Sequence, residues 1–142
     1  MVTRGSLQSW QRVSGEVFTW TATPASKAAM ARAQHNPLPP SFQQATHLRA
    51  AFYGNEMGRP MPRLIVASWD IPGVCDVAAM SEAINAHVRR HDTYHSAFEF
   101  AHGDIVRRTI DDPQTIEMAP EPYGYLSTEQ IRAHVPATTP GT

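Results

Sequence analysis

Three histidines, His87, His91 and His95, follow one another at steps of four residues in a stretch that also holds Arg89, Arg90 and Asp92. On one continuous helix, residues four apart share a face, and the three imidazoles would align as nitrogen ligands for a divalent metal such as zinc. No fourth ligand stands beside them in the sequence. A helix ending near His91 gives them different work. His95 then leaves the helix face, and the imidazoles act as capping and hydrogen-bonding groups. Arg90-His91-Asp92 becomes an ion-paired corner that fixes a helix against a sheet rather than a catalytic pair. Cys75 precedes the same helix with no histidine close to it in sequence, a poor setting for a nucleophile. Phe18 and Trp69 read as core residues rather than as a platform for a ligand.

The element that must position this cluster is the run before it. Val77, Met80, Ile84 and Val88 recur at steps of three and four, with Ala79, Ala83 and Ala86 between them and no Gly or Pro to interrupt. Asp76 supplies an N-cap acceptor, and Arg89-Arg90-His91 places cations at the partially negative end, so the pattern predicts a helix from about Val77 to His91. Beyond it, Thr93, Tyr94 and Phe98 have strand character, with Asp92 to Ser96 as the corner.

The flanking chain predicts a small set of further elements. Glu16 to Thr23 alternates as a first strand, and Pro24-Ala25-Ser26 opens a short helix that ends at His35-Asn36-Pro37-Leu38-Pro39-Pro40, a turn or linker. Ser41 can cap a second helix whose Phe42, Ala45, Leu48 and Phe52 share one face. The unbroken apolar run Leu64-Ile65-Val66-Ala67, with Trp69 and Ile71, suits a central strand covered on both faces. Ala97 to Ala101 and Ile105 to Ile110 flank His102-Gly103-Asp104 and should pair as an antiparallel hairpin. Thr115 to Met118 reads as a short edge strand and Ser127 as the cap of a last helix, while Pro136 to Thr142 is expected to be a disordered tail. This order of elements predicts an α+β layer with helices packed on a mixed sheet.

Composition narrows the function classes. At 142 residues with 42% hydrophobic content the chain has room for one compact unit and a modest core. A net charge of −1 gives no electrostatic reason to expect nucleic acid as a partner. Cys75 is the single cysteine, which rules out an internal disulfide and fits a reducing cytoplasm. No signal peptide or membrane span is legible, since no window approaches the roughly 18 apolar residues a span needs. A cytoplasmic protein without a cofactor is the expectation.

The motifs themselves carry a resemblance. Arg90-His91-Asp92-Thr93-Tyr94-His95-Ser96-Ala97-Phe98 resembles the Arg-His-Glu-x-Leu-Arg-Thr-x-Phe corner of condensation domains and their acyltransferase relatives. The longer form from Ile84 to Ser96 looks closest to the polyketide-synthase-associated (Pap-type) acyltransferases that acylate trehalose in cell-envelope lipids. Pro40 to Arg49 is similar to that family's first motif, and Arg63 to Gly73 to the strand after it. The resemblance implies the opening part of a chloramphenicol-acetyltransferase-like lobe, spanning residues 1–135 and followed by the tail at 136–142. It implies as structural corner residues Arg90, His91, Asp92 and Phe98.

The family's chemistry depends on a His-His-x-x-x-Asp-Gly motif whose second histidine is the general base on the acceptor hydroxyl. The seven histidines here, His35, His47, His87, His91, His95, His102 and His134, are followed four residues later by Pro39, Ala51, His91, His95, Glu99, Val106 and Thr138. None has aspartate at that spacing. The resemblance therefore implies a truncated member, transferring acyl chains to a sugar hydroxyl only if another chain supplies the base, with no catalytic residue of its own. Its partners would be an acyl-carrier domain, a polyketide synthase, or a complementing or self-associating chain. Two other readings stay open: a non-catalytic docking module for a polyketide synthase or homologue, and a metal-binding protein built on His87, His91 and His95. An incomplete lobe is also expected to expose a strand edge and apolar side chains.

Overall fold

A computed structural model describes residues 14–59, 72–101 and 103–137 of the chain. Strand β1 covers Gly15–Ala22, helix α1 Pro24–Ala31, strand β2 Gln34–Asn36 and helix α2 Phe42–Glu56. After the helix α3, Val77–Arg90, come strands β3, Ser96–Ala101, and β4, Asp104–Thr109, then β5, Met118–Leu126, and helix α4, Thr128–Ala137. Short 3-10 turns at Asp92–His95 and Pro113–Thr115 complete the order. The predicted strand from Leu64 to Ile71, Trp69 with it, lies outside the described residues, as do Met1 to Val13 and His102.

The architecture is mixed α and β, with two small sheets in place of one. In the larger, β4 is central between β2 and β3 and pairs antiparallel with both, Ser96 opposite Thr109 and Ala101 opposite Asp104 in the hairpin. Gly103 turns this hairpin at φ +82°, a conformation that glycine adopts without strain. β1 and β5 form the second sheet. The chain divides into two compact units where composition suggests one: Thr21–Ala119, and the residues up to Trp20 together with those from Pro120 onward.

Local chemistry explains the element limits. Asp76 accepts from the amides of Ala78 and Ala79, each at 3.0 Å, and so starts α3 where the sequence predicts. Ser41 with Gln44 and Ser127 with Gln130 form reciprocal capping boxes at the starts of α2 and α4. The helix α4 runs to Ala137, two residues past the proline-led boundary expected at 135. A proline in the last turn forfeits one backbone hydrogen bond.

Other expectations are corrected. His35 and Asn36, expected in a turn or linker, and Gln34, expected at the end of the short helix, instead form β2, because His35 and Asn36 pair with Arg108 and Arg107 across the edge of β4 before Pro37 intervenes. Thr115 to Met118 is a 3-10 turn and an extended connection leading into β5, not a separate edge strand. The strand β5 contains Pro120 and Pro122, which a two-stranded sheet tolerates because an unpaired strand side needs no donor. Phe42, placed by periodicity on the inner face of α2, is 86% exposed.

The core of the Thr21–Ala119 unit is thin. Ala33, Ile110 and Ile116 form its centre, with Ala29, Met30 and Val88 packed against them. Among the described residues no large side chain is fully buried, which leaves polar clamps to fix the helices. Asn85 of α3 accepts from the Met118 amide at 2.7 Å and donates to the Met118 carbonyl at 3.0 Å, while Arg89 donates to the Ile116 carbonyl at 2.8 Å. The buried hydroxyl of Ser26 in α1 meets the same segment, accepting from the Glu117 amide at 2.8 Å. No helix among the described residues is long and apolar enough to cross a membrane.

Candidate functional site

The helix α3 delivers its C-terminal histidines to two different environments. His95 has left the helix for the 3-10 turn and is 5% exposed. Its Nε2 donates to the Val88 carbonyl at 2.8 Å, satisfying one of the acceptors that the helix end leaves open, and its own carbonyl accepts from the Ile110 amide at 2.9 Å. His87 and His91 stay on the exposed side, with ring centroids 4.5 Å apart, and His87 Nε2 lies 3.3 Å from the Tyr94 hydroxyl. The three histidines do not converge, and among the described residues no group of three His, Cys, Asp or Glu side chains is placed to hold a metal ion.

The residues expected at the corner fall at the end of α3 and in the elements after it. Arg90 is the last residue of α3 and His91 its C-cap. Asp92 makes its ion contact with Arg107 of β4, Oδ2 to the terminal guanidinium nitrogen at 3.8 Å. Phe98 stands opposite Arg107 in the β3–β4 ladder. Arg107 is the residue that sequence reasoning missed. Its signal was the period-two alternation of β4, which puts Arg107 on the face of Ile105 and Thr109 and leaves Arg108 exposed, paired with Glu99 at 2.8 Å.

Arg107 is held inside a polar chain. Its side chain is 16% exposed, and its Nε donates to Ser96 Oγ at 2.9 Å. Ser96 Oγ lies 3.0 Å from Thr109 Oγ1, which accepts from the side-chain amide of Asn36 at 3.0 Å. The guanidinium opens into a depression of about 470 Å³ lined by Leu38, Pro39, Ser41, Gln44, Asp92, Thr93 and Arg107. One wall is therefore the capped start of α2 and the other the corner after α3.

The asymmetry of burial sets the energetics. Asp92 is 84% exposed, so Asp92→Ala should lower stability by no more than about 1 kcal/mol. His95→Ala removes a buried donor and strands the Val88 carbonyl, and should cost about 1–3 kcal/mol. Urea unfolding of the two variants separates them: equal midpoints would show that His95 does not hold the corner.

No family model matches the chain. The trehalose-2-sulfate acyltransferase PapA2 of Mycobacterium tuberculosis is 42% identical over 136 residues, covering 95% of this chain and 29% of that protein. The 2'-acyl-2-O-sulfo-trehalose (hydroxy)phthioceranyltransferase PapA1 of Mycobacterium bovis is 40% identical over 134 residues, covering 94% of this chain and 26% of that protein. A solved structure of PapA2 acyl transferase superposes with a TM-score of 0.85 over 95% of this chain and 30% of its own length, at 42% identity. The chain thus spans under a third of the length of the curated relatives it matches.

Proposed function

We propose, from the premise that this chain is a relative of the Pap-type acyltransferases matched over a piece of their length, that it supplies part of an enzyme moving long acyl chains onto a sugar hydroxyl such as that of trehalose. The observation that carries this reading is the joint agreement of sequence and structure with PapA2, 42% identity at a TM-score of 0.85. The general base belongs to residues outside this chain, because no histidine here is followed by aspartate at the spacing of the family's motif. The corner of Arg90, His91, Asp92 and Phe98 serves as scaffold, with His95 locking the end of α3 and Arg107 answering Asp92. The test is an exchange in which this chain replaces the matched piece of PapA2 and transfer to trehalose 2-sulfate is measured.

One observation favours a second reading, a docking role. Phe42 and Tyr53 of α2 fall on one arc, and with Met57 at its C-cap they are 86%, 57% and 70% exposed. The occupant this reading commits to is the remainder of a Pap-type acyltransferase, since the relatives carry more than two thirds of their length outside the matched piece.

A further inference from the structure

We infer that the depression between the start of α2 and the corner after α3 is a subsite for a polyhydroxylated sugar, a ligand class that rests on the acyl-transfer reading above. Five polar groups line it with bonding capacity to spare. Arg107 uses Nε on Ser96, while its terminal nitrogens make no hydrogen bond among the described residues and approach Asp92 only to 3.8 Å. Gln44 accepts from the Ser41 amide through Oε1, which leaves its NH₂ group without a partner among the described residues. The Ser41 hydroxyl accepts from the Gln44 amide and keeps its own proton to donate. Thr93 makes no side-chain hydrogen bond among the described residues, and Asp92 presents an exposed carboxylate.

This set matches vicinal hydroxyls. A sugar hydroxyl is both donor and acceptor, so it needs donors and an acceptor side by side: the Arg107 fork, Gln44 and Ser41 give, Asp92 accepts, and Thr93 does either. Leu38 and Pro39 add a short apolar wall for the C–H face of a ring. At about 470 Å³ the space lies within the roughly 300–1,000 Å³ of small-molecule sites. Asp92 beside Arg107 offsets the cation, which favours a neutral polyol over a free inorganic anion.

The test is a titration of the full chain with trehalose and, separately, with inorganic sulfate, followed by amide and side-chain NMR shifts and without any acyl donor. Trehalose should give saturable shifts at Gln44, Thr93 and Arg107, with the dissociation constant rising about tenfold in Thr93→Val and in Arg107→Lys, which keeps the charge but loses the fork. Thr93→Val touches no existing hydrogen bond, so it reports on the site even if Arg107→Lys unfolds the chain. Shifts from sulfate alone, shifts elsewhere, or an affinity unchanged in Thr93→Val overturn the subsite. Failure of this titration with transfer intact in the PapA2 exchange defeats only the subsite; binding here with a folded but inactive exchange defeats only the acyl-transfer reading.

Discussion

Supplied with an acyl-CoA or acyl-carrier donor and trehalose, the purified chain is expected to form no more ester than buffer alone. Positioned general bases contribute roughly 10²–10⁴-fold to a rate, and none of the seven histidines has the aspartate spacing that the resemblance implies for one. His95 is 5% exposed and spends Nε2 as a donor to the Val88 carbonyl, so that nitrogen offers no lone pair to a hydroxyl. His87 and His91 sit side by side on the exposed end of α3, with none of the seven histidines followed by Asp at the motif spacing. Product measured by mass spectrometry should stay at background in the wild-type chain. Product that persists in both His91→Ala and His95→Ala would show that a group other than these histidines serves the chain as a base.

Asn85→Ala should be the most destabilising single substitution on α3, lowering unfolding free energy by about 3 kcal/mol. Asn85 makes two hydrogen bonds to the Met118 backbone and a third, at 2.9 Å, to the Ser81 carbonyl. Truncation strands an amide and a carbonyl of Met118 at once, where the surrounding core is too thin to compensate by packing. Asn85→Asp distinguishes the two halves of the clamp: the carboxylate still accepts from the Met118 amide but faces the Met118 carbonyl with no donor. Urea midpoints should therefore fall for both variants, and an unchanged midpoint for Asn85→Ala would mean that α3 is held by its apolar face alone.

What the sequence made legible was local. The start of α3 at Asp76, the capping serines Ser41 and Ser127, and the hairpin around Gly103 are set by residues within a few positions of one another, and all stand as expected. That α3 ends near His91 was legible, but the partner of Asp92 was not, because Arg107 is fifteen residues away in sequence and reaches it only through the β3–β4 register. β2 was hidden by the prolines that follow it from Pro37 onward and β5 by Pro120 and Pro122 within it, although proline is excluded from central strands and not from edge strands. Phe42 misled because periodicity assigns a helix face without saying what covers it; the capping box at Ser41 fixes where α2 starts, and the packing of Phe52 on Phe100, centroids 4.2 Å apart, fixes which side turns inward. The polar network from Arg107 through Ser96 and Thr109 to Asn36 joins three strands and has no local signature at all.

Whether this chain can do the work of the corresponding piece of a Pap-type acyltransferase decides the proposed function. The decisive measurement is transfer of an acyl chain to trehalose 2-sulfate by PapA2 in which the matched 136 residues are replaced by this chain. The expected result is measurable transfer that drops by about 10²–10⁴-fold when the histidine that the family resemblance implies as general base, outside the exchanged residues, is changed to alanine. An exchange protein that folds cooperatively, keeps that histidine and yet transfers nothing would contradict the proposed function.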